Sequence, residues 1–341
     1  MDFWQEIRKP GPPVVMYGTG NAADKLYHLL EERGVRVEGC FVNDEFVRSR
    51  TFQGYKVLSY ERAKSIFGEM RVVMGFGSHD PKVLGRVKEI ASETDFWCPD
   101  LLQDEEGHLF DEEYCRKHRR DLEYAYGLLS DDQSRKVFQK TIENKLSGRI
   151  GPLFEIETDE RENWKILGIG EDETYMDLGA YNGDTIERFL SFTPSFRRII
   201  GVEPERRSFR ILSGKLEGME NVDLVNAAIG EVEEEVLFSS AGRGSKVGEG
   251  RKVVQRTIDG ILGGSPVSIL KFDIEGEEEK ALRGGKESIS RWKPRMVLSA
   301  YHRIDDLWRL PRCIEEYRKD YRWYLRHSPS VPAWEVDYFL V

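Results

Sequence analysis

Short apolar segments alternate with helical patterns over the first third of the chain. Val14–Tyr17 is largely apolar, as in a buried strand, and it leads into the turn Gly18-Thr19-Gly20-Asn21-Ala22-Ala23. Apolar residues at helical spacing follow up to Gly34, and apolar segments at 35–42 and 72–77 predict two more strands. Strand, glycine turn and helix in repetition form a βαβ series, so residues 1–115 are predicted to fold as a small Rossmann-like α/β domain.

This alternation stops over residues 116–157, where the pattern is helical. Ser130 and Gln133 have the S-x-x-Q spacing of a capping box, and apolar residues follow at positions 138, 142 and 146. We therefore predict a packed helical connector between two domains.

Strand and helix patterns alternate again over residues 158–341. Seven segments have the length and apolar content of strands: Thr174–Leu178, Arg198–Val202, Val222–Val225, 268–272, 295–300, 322–326 and 334–341. The last two are consecutive, which suits an antiparallel pair at the edge of a parallel sheet. The predicted fold class is α/β: a seven-stranded, mostly parallel Rossmann-like sheet, as in class I methyltransferases, preceded by the smaller Rossmann-like domain.

Composition and charge exclude several classes of protein. The 341 residues include 51 Lys and Arg against 61 Asp and Glu, a formal net charge of -10, whereas nonspecific binding to nucleic acid or membrane surfaces needs a basic excess. The sequence has no run of 18 apolar residues and no secretory signal pattern. The four cysteines are scattered and no H-E-x-x-H occurs, so no metal site is predicted. We expect a cytoplasmic, reduced protein with no nucleic-acid partner and no membrane insertion.

The strongest local signal is the stretch D-L-G-A-Y-N-G-D-T from Asp177 to Thr185, between a predicted strand and a predicted helix. Its glycines let the backbone pass close beneath a ligand, and the helix N-terminus offers free amide groups. Glu203 lies 20 residues beyond Gly183, at the end of the next strand, where a carboxylate can accept hydrogen bonds from two ribose hydroxyls. The turn lacks the G-x-G-x-x-G spacing that cradles a pyrophosphate, which favours an adenosyl sulfonium ligand over a dinucleotide. A generic tight turn between strand and helix is the structural alternative.

Two later segments fall at the predicted carboxyl edge of the sheet. Asn226 and Ala227 follow the third strand, where polar and small groups can flank an adenine ring. Asp273 and Glu275 follow the fourth strand, and His302 follows the fifth. Because open α/β sheets bind ligands at this edge, Asp273, Glu275 and His302 are candidate catalytic residues.

Together these segments resemble the FkbM-type methyltransferases. The resemblance rests on D-L-G-A-Y-N-G-D, V-E-P, N-A-A-I-G, R-T-I-D, K-F-D-I-E-G-E-E-E-K-A-L-R-G-G and L-R-H-S, and it covers about residues 150–341. It implies an S-adenosylmethionine-dependent methyltransferase that acts on a hydroxyl of a sugar, glycan or secondary metabolite. One departure is Tyr301-His302, which stands where the family often has an acidic residue.

The resemblance also implies the residues of the site. Those expected to bind S-adenosylmethionine are Asp177, Gly179, Ala180, Tyr181, Gly183, Asp184, Thr185, Glu203, Pro204, Asn226, Ala227 and Asp273. Asp273 and Glu275 are expected to lie beside the reacting methyl group.

A hydroxyl is a poor nucleophile until its proton leaves, so Asp273, Glu275 and His302 are candidate bases. Each has a structural alternative: a helix cap for Asp273, compensation of the helix dipole for Glu275, and a buried structural role for His302. The three could also hold a divalent cation, although their spacing is not diagnostic. Lys271 lies in the apolar fourth strand and requires a carboxylate partner, for which Asp177, Asp273 and Glu275 are candidates.

Two further alternatives stay open. The first is an NAD(P)-dependent or nucleotide-sugar enzyme, or a binding module, that uses the turn Gly18-x-Gly20-x-x-Ala23 with Asp44 as ribose acceptor. The second concerns the glycine-rich stretch 239–250, which reads as a hairpin loop or as a lid over the acceptor. The sequence identifies neither the methyl acceptor nor the oligomeric state.

Overall fold

The computed structural model describes residues 1–48, 51–239 and 250–341, together with the backbone of 246–247. It divides into two compact units. Unit 1 comprises Met1–Arg120, Arg135–Thr158 and His327–Glu335, and unit 2 comprises Asp121–Ser134, Asp159–Arg326 and Val336–Val341. Both units contain part of the predicted connector, and the predicted domain boundaries stay predictions.

Unit 1 contains a six-stranded sheet. Its elements are α1 (Phe3–Glu6), β1 (Val14–Tyr17), α2 (Asn21–Glu32), β2 (Val37–Val42), β3 (Thr51–Phe52), β4 (Tyr55–Ser59), α3 (Tyr60–Phe67), β5 (Arg71–Met74), α4 (Pro81–Glu93), β6 (Asp95–Trp97) and α5 (Glu112–Lys117). The strand order is β3-β4-β2-β1-β5-β6, and every pair is parallel except β3 with β4. The βαβ series predicted from the sequence is therefore confirmed.

The glycine turn of unit 1 has a clear packing role. Gly18 has φ +110°, a conformation that favours glycine. A Cβ added at Gly75 would lie 2.5 Å from the Cα of Ala23, so α2 and the chain after β5 approach each other closely at the third position of the turn.

Three helices cover most of the segment predicted as the connector: α6 (Arg119–Leu128), α7 (Asp132–Ser147) and α8 (Gly151–Phe154). The predicted capping box at Ser130 is wrong, because the Asp131 carboxylate accepts the amide of Ser134 at 2.7 Å and so caps α7. The Ser130 hydroxyl instead accepts the amide of Trp323 at 2.9 Å.

A seven-stranded sheet forms the centre of unit 2. The remaining elements of the chain are α9 (Glu160–Trp164), β7 (Thr174–Leu178), α10 (Asp184–Leu190), β8 (Arg198–Val202), α11 (Arg206–Lys215), β9 (Val222–Val225), β10 (Ala228–Ile229), β11 (Glu234–Ser239), β12 (Lys246–Val247), β13 (Arg251–Arg256), α12 (Ile258–Leu262), β14 (Ile269–Phe272), α13 (Glu278–Gly284), α14 (Lys286–Trp292), β15 (Arg295–Ser299), α15 (Asp306–Glu315), β16 (Trp323–His327) and β17 (Val336–Leu340). The strand order is β16-β17-β15-β14-β7-β8-β9; β17 is antiparallel to β15, and the strands from β15 to β9 are parallel. The predicted α/β fold class is confirmed.

The central strands of this sheet are buried along almost their whole length. Every residue of β7 and β14 is buried, as expected for parallel strands that are covered on both faces. A smaller four-stranded sheet, in the order β10-β13-β11-β12, contains the antiparallel pair β11 and β13 that flanks the glycine-rich stretch. Most of that stretch, and with it the predicted lid, lies outside the described residues.

The helices of the described residues are short. The longest of them, α7, has 16 residues. Within the described part of the chain, no helix combines the length and the apolar character needed to cross a membrane.

Candidate functional site

The turn between β7 and α10 lies directly against the end of β14. A Cβ added at Gly179 would lie 1.9 Å from the backbone oxygen of Asp273, and Gly179 has φ +81°. Only glycine fits at this distance and in this conformation. Gly183, with φ +86°, is the N-cap of α10. The glycine spacing thus brings the predicted cofactor turn and the end of the predicted catalytic strand together.

The backbone amides of this turn already have acceptors within the protein. The amides of Gly179 and Ala180 both donate to the carbonyl of Val202 at 3.0 Å, and the amide of Gly183 donates to the carbonyl of Ala180 at 2.7 Å. These three amides are therefore not available to a ligand, and the predicted free amides at the N-terminus of α10 stay a prediction. Two of these hydrogen bonds join the turn to the end of β8, and the third lies within the turn.

Glu203 directly follows β8 and is buried beside the turn. Its Oε2 accepts the amide of Tyr181 at 2.9 Å, and its Oε1 accepts the amide of Glu205 at 2.6 Å. Burial raises the pKa of Glu203 to about 7, although the two amide donors act in the opposite direction. Since each carboxylate oxygen can accept more than one hydrogen bond, Glu203 retains capacity for ligand hydroxyls.

Asn226 links the chain segments that follow β8 and β9. Its side-chain nitrogen donates to the carbonyl of Glu203 at 2.7 Å and to that of Pro204 at 3.3 Å. The Pro204 carbonyl also accepts from Arg251 Nη2 at 2.8 Å. Asn226 is exposed and Ala227 is buried. The structure thus places Asn226 and Pro204 next to Glu203 at the carboxyl edge of the sheet.

Buried charges join β7 and β14. Lys271 Nζ lies 3.5 Å from Asp177 Oδ1 and 3.4 Å from Asp273 Oδ2, and the Thr185 hydroxyl donates to Asp177 Oδ2. Burial alone would lower the pKa of Lys271, but the carboxylates of Asp177 and Asp273 raise it above its ordinary value. Burial raises the pKa of Asp177, against the opposing charge of Lys271. The predicted carboxylate partner of Lys271 is confirmed.

The predicted cofactor residues differ in their exposure. Tyr181 has 43% of its surface exposed, with φ +44°, and Asp184 is exposed at the start of α10. By contrast, the carboxylate of Asp177 has no exposed surface. The other predicted members with little or no exposed surface are Ala180, Gly183, Glu203 and Ala227.

The three predicted catalytic residues lie together. His302 Nε2 is 3.4 Å from Asp273 Oδ1 and 3.9 Å from Glu275 Oε2. The side chains of Asp273 and Glu275 are 36% and 34% exposed, against 9% for His302, so the carboxylates are the accessible members. Glu275 has φ +58°, a strained conformation for a residue with a Cβ.

Two buried carboxylates that the sequence does not predict complete this cluster. Glu278 Oε1 lies 2.8 Å from His302 Nδ1, and Asp306 Oδ2 accepts the amide of His302 at 2.9 Å. Burial raises the pKa of Asp306 to about 7. Both residues stand in short acidic runs, 277–279 and 305–306, which read as solvated charges at helix starts. The sequence pattern gives no sign of which carboxylate in each run is buried.

The group with metal-ligand spacing among the described residues is Asp104, Glu106 and His108 in unit 1. Its members are at least partly exposed, and His108 Nδ1 lies 2.8 Å from Asp104 Oδ2, so the cluster is satisfied by its own contacts. Among the residues that the structure describes, Asp273, Glu275 and His302 do not bring three ligand atoms within 4.8 Å of one another. The divalent-cation alternative therefore has no geometric support at the carboxyl edge.

Two aromatic rings lie against the glycines at the carboxyl edge of unit 1. The Phe76 ring would be 2.7 Å from a Cβ at Gly18, and the Trp334 ring 2.2 Å from a Cβ at Gly77. These glycines follow the adjacent strands β1 and β5, where a dinucleotide would bind in a Rossmann-like sheet. Asp44, the predicted ribose acceptor, is exposed in a 3₁₀ turn, Asp44–Phe46. The dinucleotide alternative gains no support from this arrangement.

Comparison with known proteins identifies the site-bearing segment. The family model of the methyltransferase FkbM domain matches residues 177–323. The chain is similar to the crystal structure of methyltransferase FkbM from Methylobacillus flagellatus, with a TM-score of 0.74, 20% sequence identity, and coverage of 99% of this chain and 92% of that chain. A putative methyltransferase from Streptococcus mutans in complex with SAH also matches, with a TM-score of 0.37, 11% identity, and coverage of 54% of this chain and 98% of that chain. No curated protein matches the sequence.

The matched segment contains the whole cluster described above. It begins at Asp177 and includes Glu203, Asp273, Glu275 and His302. The similarity to the Methylobacillus flagellatus structure extends over nearly the whole chain and shows a shared fold. Residues 177–323 therefore match the model of the methyltransferase FkbM domain, and the chain shares the fold of a methyltransferase FkbM.

Proposed function

We propose that this protein transfers the methyl group of S-adenosylmethionine to a hydroxyl oxygen of a small molecule or glycan. The observation that carries the proposal is the convergence of three elements at one edge of the seven-stranded sheet. The glycine turn after β7, the Glu203 carboxylate after β8 and the Asp273 carboxylate after β14 meet there, inside the segment that matches the FkbM family.

The residues at this edge fit the cofactor in their chemistry. Each oxygen of Glu203 accepts one backbone amide and can accept a ribose hydroxyl in addition. Asn226 lies beside Glu203, where it can flank an adenine ring. The partly exposed carboxylates of Asp273 and Glu275 are suited to a ligand that carries a sulfonium and an ammonium group.

When bound, S-adenosylmethionine supplies a methyl group whose C–S electron pair goes to sulfur as the new C–O bond forms. The protein contributes first by position, because the glycine turn and Glu203 hold one reactant against the end of β14. Asp273 and Glu275 are the accessible groups at that end, and we assign them the proton that leaves the acceptor hydroxyl. A base of this kind contributes roughly 10²–10⁴-fold to such a reaction.

We also propose a cytoplasmic location and an acceptor that is not a nucleic acid. The four cysteines are free thiols, which suits a reducing compartment. The formal charge of -10 is unfavourable for a phosphate backbone.

Calorimetric titration of the purified protein with S-adenosylmethionine tests the proposed cofactor. Glu203→Gln keeps the shape of the side chain but removes the charge, so affinity is expected to fall about 10- to 100-fold, the effect of losing hydrogen bonds to a charged group. Glu187→Gln, on the exposed surface of α10, is the matched control and is expected to bind as the wild type does. No binding of the wild type at millimolar cofactor would contradict the proposal.

A further inference from the structure

The contacts of His302 determine the protonation of its first ring nitrogen. Nδ1 lies 2.8 Å from Glu278 Oε1, and the Glu278 side chain is 1% exposed. The same oxygen accepts the amide of Ile274 at 3.0 Å, so it acts as an acceptor. Nδ1 therefore carries a hydrogen and donates it to Glu278.

The second ring nitrogen faces only acceptors among the contacts described above. Nε2 lies 3.4 Å from Asp273 Oδ1 and 3.9 Å from Glu275 Oε2. A lone pair on Nε2 would face the negative oxygens of both carboxylates, whereas a proton there is attracted to both. The geometry thus favours an imidazole that carries hydrogen on both nitrogens.

The remaining charges around His302 do not reverse this conclusion. Asp306 contacts the backbone amide of His302, which adds a further carboxylate. The nearby cations are already engaged, since Arg303 donates to the carbonyl of Gly276 and Lys271 lies 3.4 Å from Asp273 Oδ2. Burial alone would lower the pKa of His302, but the carboxylates, Glu278 foremost, raise it to about 10.

We propose that His302 is a permanently protonated imidazolium, held by Glu278, that positions the Asp273 and Glu275 carboxylates and does not itself act as the base. The assignment of the proton to those carboxylates rests on the proposed methyl transfer; the charge state of His302 does not. Asp273 is then held at both oxygens, by Lys271 on one and by His302 on the other. In the proposed methyl transfer, the proton of the acceptor hydroxyl goes to the carboxylate of Asp273 or Glu275. The imidazolium of His302 keeps the hydrogens on both of its ring nitrogens.

Long-range ¹H–¹⁵N correlation spectra of ¹⁵N-histidine-labelled protein test this charge state directly, without cofactor or acceptor. The chain has six histidines, and His302→Gln assigns the resonances. Both ring nitrogens of His302 are expected to show the shifts of N–H nitrogens from pH 5.5 to 9. His327 is the internal reference: burial lowers its pKa to about 4, so it is expected to show a neutral ring over the same range.

Glu278→Gln tests the residue that holds the imidazolium. The glutamine oxygen can still accept from Ile274 and from Nδ1, but the charge is gone, so the pKa of His302 is expected to fall by at least one pH unit, a tenfold change in its proton affinity. Glu287→Gln, an exposed residue of α14, is the control and is expected to leave that pKa unchanged. If Glu278→Gln does not fold, Asp273→Asn provides the same test from the Nε2 side.

A neutral His302 at pH 7.5, or a pKa that does not respond to either charge removal, would overturn the proposal. Calorimetric binding of S-adenosylmethionine is measured separately on the same samples. A failed cofactor titration with an imidazolium spectrum refutes the proposed function alone, and binding with a neutral His302 spectrum refutes this inference alone.

Discussion

Glu203 is the residue whose ionisation links cofactor binding to pH. In the protein without cofactor, burial raises its pKa to about 7, so the carboxyl is largely protonated below that pH. The ionised form is the one that accepts hydrogen bonds from both ribose hydroxyls. Binding below pH 7 must therefore expel a proton, and the affinity for S-adenosylmethionine is expected to be level above pH 7 and to fall about tenfold per unit below it.

Titration calorimetry at pH 6, 7 and 8 checks this dependence. The Glu203→Gln variant has no carboxyl at this position and is expected to lose the dependence while it binds weakly throughout. An affinity of the wild type that does not change between pH 6 and 8 would show that the ionised Glu203 does not hold the ligand.

Lys271 and Asp177 are a second pair of residues with a measurable consequence. Their side chains are 7% and 0% exposed, so removal of the Lys271 charge leaves the buried carboxylate of Asp177 without its ion-pair partner. Lys271→Met is expected to lower the free energy of unfolding by about 3–5 kcal/mol, the usual effect of breaking a buried ion pair. Urea unfolding, with comparison of the m-values, measures the change.

The double variant Asp177→Asn/Lys271→Met provides the control for this pair. It removes both charges, so its destabilisation is expected to be smaller than the sum of the two single effects. Strictly additive effects would show that the two side chains do not interact in the folded protein.

At the scale of elements, the contact between the β7–α10 turn and the end of β14 depends on Gly179. An alanine there would adopt φ +81° and place its Cβ 1.9 Å from the backbone oxygen of Asp273, so the strand end must move. Gly179→Ala is therefore expected to cost well over the roughly 1–2 kcal/mol of a left-handed alanine and to weaken cofactor binding.

Gly263→Ala is the matched variant for this comparison. Gly263 also has a positive φ, +54°, but an added Cβ would have no neighbour within 4 Å. Its destabilisation is expected to stay near the conformational cost alone, and binding should not change. Equal effects of the two substitutions on stability and binding would refute the importance of the contact.

The secondary-structure elements differ in how well the sequence predicts them. The central strands β7 and β14 were predictable because strands that are covered on both faces are nearly continuous apolar runs. Strands β3 and β10 have two residues each, too few for any periodicity, and they escaped prediction. The cap of α7 at Asp131 was missed because a tertiary contact uses the neighbouring hydroxyl of Ser130.

The same limit applies to the candidate site. Asp273 and His302 could be placed together because residues that follow parallel strands meet at one edge of a sheet. Glu278 is the first residue of α13 and stands in a run of three glutamates, so only the packing of α13 distinguishes it from its neighbours. The amides of Gly179 and Ala180 are a similar case, because their acceptor, the carbonyl of Val202, belongs to another strand and the sequence gives no sign of this contact.

The whole molecule has 61 acidic against 51 basic residues. This acidic excess predicts very weak binding to nucleic acid. Nonspecific binding depends on the release of counterions by basic side chains and has a Kd of roughly 10⁻⁴–10⁻⁶ M in proteins that achieve it. Fluorescence anisotropy with a labelled RNA or DNA duplex at about 50 mM salt is expected to show no saturation at micromolar protein. Saturable, salt-sensitive binding would make a nucleic-acid acceptor the better hypothesis.

A crystal structure of the protein grown with S-adenosylmethionine shows whether the carboxyl edge of the seven-stranded sheet is the cofactor site. We expect ligand density in which both ribose hydroxyls lie within hydrogen-bonding distance of the Glu203 carboxylate and the sulfonium methyl faces Asp273. Density for the ligand elsewhere, such as beside Gly18 and Gly20 in unit 1, with the carboxyl edge of the seven-stranded sheet free of ligand, would contradict it.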